Sequence, residues 1–86
     1  MTIAVWDTYV DRLDGRTMHF DILVEENEPF DTVRRHGVAY LQDKPVETAS
    51  LTTEACRFCH VEQASPAVEQ AIEDKGYAIV ELDHCE

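Results

Sequence analysis

The chain has 86 residues, with 18 acidic side chains against seven basic ones, and a formal charge of −11 with histidine neutral. A chain of this size closes one domain, residues 1–86, around one modest core; surface scaling gives it about 5,200 Å² of accessible surface when folded and no room for a large enclosed substrate cavity. Seven scattered cations argue against nucleic acid and against anionic membrane surfaces, because both are bound through clustered Lys and Arg.

In chain order, residues 2–10 (TIAVWDTYV) are β-branched and aromatic and read as a strand. Residues 17–24 alternate, with Met18, Phe20, Ile22 and Val24 on one side and Thr17, His19, Asp21 and Leu23 on the other. Between them, Leu13-Asp14-Gly15 makes a three-residue hairpin loop, with Gly15 taking the left-handed position. That loop makes the numbers of paired residues sum to 28, setting Ala4, Trp6, Thr8 and Val10 on the face of Met18, Phe20, Ile22 and Val24. An odd sum would place Phe20 beside Asp7 and leave no apolar face.

Pro29 opens a helix over residues 29–42, with Phe30, Val33, Gly37, Tyr40 and Leu41 on one face. Gly37 costs such a helix about 1 kcal/mol relative to Ala, which implies close approach to the sheet. Residues 43–54 read as a loop with a short turn near Leu51–Ala55, and 57–63 as a third strand. Ser65 caps and Pro66 starts a second helix, 66–75, which Gly76 ends; 77–83 alternate as a last strand. The expected fold is α+β: a two-layer sandwich in the order β-β-α-β-α-β. Its four-stranded mixed sheet carries two helices on one face, and a right-handed crossover joins the last two strands. The other face is then open, or covered by a partner chain.

The strings VWDTYV (5–10), HFD (19–21) and CRFCHVEQA (56–64) resemble a family of short bacterial proteins catalogued only as a domain of unknown function. The resemblance implies a bacterial, single-domain α/β protein. It brings no activity, cofactor or site residue, so the chemistry rests on the side chains.

Cys56-Arg57-Phe58-Cys59-His60 is a C-x-x-C-H string. Haem attachment is excluded by the absence of an export signal, the apolar runs Ile3–Trp6 and Val38–Leu41 being four residues long; the expected location is the cytoplasm. Zinc at Cys56, Cys59 and His60, with His84 and Cys85 in reserve, has suitable donors, but residues three apart on a straight strand diverge. A redox dithiol lacks the helix N-terminus that activates one. The simplest role for Cys59 is a small buried hydrophobe beside Val61.

A second constellation is built from Asp7-x-Tyr9, His19-x-Asp21 and His60-x-Glu62. The hairpin register sets Asp7 opposite Asp21 and Tyr9 opposite His19, on the face away from Phe20. If Cys59 and Val61 point inward, Phe58, His60 and Glu62 join them. Directly opposed carboxylates repel, so a protonated His19, Arg57, a bound cation or a raised carboxyl pKa must offset them. Tyr9, Phe58 and Tyr77 would make the same face a docking surface for a protein partner or a second copy.

These residues point to a non-catalytic interaction or binding module with no required cofactor. The alternative is a module binding zinc, another divalent metal or a small ligand, through the His/carboxylate face or the Cys/His cluster. No nucleophile–base–oxyanion set or phosphate loop is legible, so no autonomous enzyme is expected.

Overall fold

β1 (Thr2–Asp11) and β2 (Thr17–Glu25) form the central hairpin of the computed structural model, which describes residues 1–86. The Arg12 amide donates to the Arg16 carbonyl at 2.7 Å, and Gly15 has φ +93°, closing the expected three-residue loop. The Arg16 amide and the Arg12 guanidinium both donate to Asp14 and hold its carboxyl below the usual range. Every β1–β2 pair sums to 28, from Ile3↔Glu25 to Asp11↔Thr17.

Two further strands flank the hairpin. β3 (Cys56–Gln63) pairs with β1 and β4 (Ala78–Asp83) with β2, in the order β3-β1-β2-β4. All three pairings are antiparallel, so the sheet is not mixed. The last two strands lie on opposite edges and run antiparallel, so no parallel crossover joins them. The segment between them traverses the width of the sheet instead.

That segment carries α2 (Pro66–Lys75), and it corrects the expected layering. α1 (Phe30–Gln42) covers one face, where Phe20, Met18, Ile22, Val24 and Val10 pack with Val33 and Leu51. Phe30 lies on Trp6, and Tyr40 on Phe20. α2 covers the other face, its Ile72 packing with Ile3, Val5, Leu23 and Ala78, flanked by Val68 and Ala71. The two helices are therefore on opposite faces. Ile3, Val5 and Leu23 point away from Phe20 and need an apolar cover, and the stripe on α2 supplies it; each buried Å² is worth about 25 cal/mol. The accessible surface, 5180 Å², matches the size expectation.

Local signals hold closely. Pro29 is the extended N-cap of α1 rather than its first residue. Ser65 Oγ accepts from the Val68 amide at 3.2 Å, and Gly76 ends α2 with φ +91°. The segment between α1 and β3 runs along the end of β1, where the Ala49 amide donates to the Asp11 carbonyl and the Tyr9 amide donates to the Ala55 carbonyl. Its Leu51 is buried against α1.

Gly37 is where these layers meet. A Cβ there would lie 2.7 Å from Leu51 Cδ2 and 3.0 Å from Ile22 Cδ1. Both neighbours are buried, so neither moves freely. Gly37→Ala should therefore destabilise by about 1 kcal/mol net in urea unfolding, overpacking outweighing the gain in helix propensity. A stabilised variant would show that the loop is not seated against α1.

Candidate functional site

α2 covers only one end of its face. Continuing along β1 from Ile3 and Val5 come Asp7 and Tyr9; back along β2 from Leu23 come Asp21 and His19. Strand alternation puts all four on the same side as the α2-covered patch. The polar cluster thus begins where the helix cover stops, on hydrogen-bonded neighbouring strands that fix its spacing.

Asp7 pairs with Asp21 and Tyr9 with His19. His19 Nε2 and Asp7 Oδ1 are 2.5 Å apart, and the Tyr9 and His19 rings stack with centroids 4.1 Å apart and planes 7° from parallel. One donor atom from each of Asp7, His19 and Asp21 lies within 4.8 Å of the other two. No other three His, Cys, Asp or Glu side chains converge so closely. The Asp7 and His19 side chains are 34% and 25% exposed, which leaves the cluster reachable yet partly desolvated.

The Asp21 carboxyl is held above its usual range. Burial is the largest cause, followed by a hydrogen bond with Asp7 and repulsion from its charge, while His19 and His60 oppose the shift. Of the offsets expected for the opposed carboxylates, the imidazole contact and the raised pKa are present. Arg57 stands opposite Asp7 in the β1–β3 register but forms no ion pair with it.

The third strand behaves differently from expectation. Val5 pairs with His60 and Trp6 with Phe58, so the register shifts across Cys59. Phe58 is consequently on the α1 face, its ring edge-on to Trp6, not beside His60. His60 and Glu62 do lie on the α2 face, where they bind each other at 2.6 Å instead of joining Asp7. Cys59 and Val61 are exposed rather than buried. Cys56 is the buried member of the C-x-x-C pair, its Sγ 3.3 Å from Thr8 Oγ1. Cys56, Cys59 and His60 therefore do not converge on one point. Nor do Tyr9, Phe58 and Tyr77 share a surface, since Tyr77 is buried with its ring stacked on His36.

Sequence reasoning missed β4's contribution. Asp83 stands opposite His19 and Val80 opposite Asp21, and the buried Cys85 thiol donates to the His19 carbonyl at 3.3 Å. Nothing in the chain order announces that β4 adjoins β2.

Residues 1–82 match the model of a domain of unknown function, DUF2024, and the chain belongs to that family. Among solved structures it is similar to the NMR structure of protein NE1680 from Nitrosomonas europaea, a target of the Northeast Structural Genomics Consortium. The two share 37% identity and a TM-score of 0.84 over 100% of each chain. No curated protein matches.

The Asp21 shift has a sign that can be tested. A carboxyl raised by folding contributes stability fully present below the ordinary value of about 3.9 and lost as pH rises through the higher folded value. At neutral pH the native state therefore holds a charge it disfavours. With a chelator present, Asp21→Asn should melt above the wild type at neutral pH, and the gap should close as pH falls toward the ordinary carboxylate range. A lower melting temperature at neutral pH would contradict this electrostatic account.

Proposed function

We propose that this DUF2024 member is a divalent-cation-binding module, with Asp7, His19 and Asp21 as the protein ligands. The observation that carries the reading is their convergence within 4.8 Å on two hydrogen-bonded strands. Two opposed carboxylates are costly for the apo fold, and a dication turns that repulsion into attraction. Metal–oxygen and metal–nitrogen bonds of about 2.1 Å require donor atoms about 3–3.5 Å apart, so a bound ion replaces the 2.5 Å Asp7–His19 contact and draws in the wider separations of the cluster.

The donor set narrows the ion. Imidazole favours zinc, iron, nickel and copper, and carboxylate favours magnesium, calcium and manganese. One imidazole with two carboxylates suits a borderline first-row dication such as Zn²⁺, Fe²⁺ or Mn²⁺. Three protein ligands on a solvent-facing strand pair leave coordination positions for water or a small anion. His19 is oriented by the stacked Tyr9 ring, and its backbone is tethered by Cys85.

Thermal melts with each first-row dication test the reading. At a hundredfold excess over Kd the stabilisation is about 2.7 kcal/mol, which for a domain of this size is about 10–20 °C. Asp7→Asn should fold and lose the shift. If no dication raises the melting temperature, or if Asp7→Asn keeps the full shift, the cluster is not the site.

A further inference from the structure

β3 carries a second constellation that the cation cluster does not use. Because Val5 pairs with His60 and Trp6 with Phe58, Cys59 is the extra residue of a β-bulge. In a regular strand residues 59 and 60 would point to opposite faces; a bulge breaks that alternation and re-aims the side chain. The Cys59 thiol lies 3.2 Å from His60 Nδ1, and His60 Nε2 lies 2.6 Å from Glu62 Oε1. Thiol, imidazole and carboxylate thus stand in the order of nucleophile, base and orienting group. With Glu62 accepting the Nε2 proton, the tautomer is fixed and Nδ1 keeps a lone pair toward the sulfur. Cys59 is a free, exposed thiol, whereas Cys56 and Cys85 are buried.

We propose that Cys59 is a thiol–disulfide exchange site that takes low-molecular-weight disulfides, with His60 as its proton acceptor and Glu62 as a positioning residue. His60 Nδ1 receives the thiol proton as the sulfur attacks one sulfur of the incoming disulfide. A new S–S bond forms to Cys59 and the original S–S bond breaks. The departing thiolate carries the electron pair away and takes the proton from His60. The disulfide supplies the oxidising equivalents: Cys59 is oxidised to a mixed disulfide, and one small thiol is released.

Exchange suits this place better than acyl transfer. It develops charge on sulfur and needs no preorganised, water-excluded oxyanion hole, which a solvent-exposed edge strand does not provide. Cys56 does not resolve the adduct, because its thiol sits in the α1-side core against Thr8 and burial pushes that thiol up. The mixed disulfide therefore persists until an external thiol removes it.

The test is reaction of chelator-treated protein with oxidised glutathione, followed by intact mass and peptide mapping. One adduct is expected, on Cys59. At neutral pH it should form at least about tenfold faster than at the same cysteine in urea-unfolded chain. His60→Asn should fall to about the unfolded rate, and Cys59→Ser should form no rapid adduct. The wild-type advantage over His60→Asn should shrink as pH is raised and vanish in strong alkali, where a thiol needs no base to form the attacking thiolate. That convergence separates proton transfer from a structural effect of the substitution. A rate no greater than in the unfolded chain would overturn the proposal, and this comparison stands even if the His60 variant fails to fold. So would an unchanged rate in a folded His60→Asn protein, a first adduct on Cys56 or Cys85, or an intramolecular disulfide in place of the adduct.

Discussion

The β1–β2 register is the constraint on which the rest of the structure depends. A three-residue loop closed by Gly15 makes paired numbers sum to 28, and that even sum fixes the facing of every side chain on both strands. It puts Phe20, Met18, Ile22 and Val24 together under α1. By the same arithmetic it puts Asp7 against Asp21 and His19 against Tyr9. The core and the cation cluster are two consequences of one turn, and a slip of one residue would lose both.

The α2 face is divided along the strands. Ile3, Val5 and Leu23 form an apolar end, and Asp7, Tyr9, His19 and Asp21 a polar end. α2 is ten residues long and covers the apolar end. The boundary leaves the cluster partly desolvated without sealing it, and partial desolvation is what raises the Asp21 carboxyl. The native chain thus holds an electrostatic conflict at neutral pH that a neutral side chain would relieve. Charges that work against folding at one spot, on rigid strands, are a common signature of a ligand site.

Much of this was legible in the sequence because it rests on local rules. The loop at Gly15, the caps at Ser65 and Gly76, the close approach at Gly37 and the facing of Asp7, His19 and Asp21 all follow from alternation and turn chemistry. What failed was non-local. Assigning both helices to one face ignored Ile3, Val5 and Leu23, whose apolar side chains already announced a second cover. The bulge at Cys59 has no glycine or other local mark, and it moved Phe58 to the opposite face, while Cys59 and Val61 are exposed with nearly the whole of edge strand β3. The placement of β4 beside β2, and with it Asp83 and Cys85 around His19, depends on tertiary pairing that the order of elements leaves open.

The central claim is that a dication sits among Asp7, His19 and Asp21, and paramagnetic relaxation by Mn²⁺ tests its location directly. On adding substoichiometric Mn²⁺ to isotopically labelled protein, the backbone amides of residues 7, 19 and 21 and their cross-strand neighbours should broaden first, with Asp7→Asn abolishing the effect. Broadening centred instead on the acidic turn at Glu25–Glu28 or the C-terminal Asp83–Glu86 segment, or spread evenly over the acidic surface, would contradict the account.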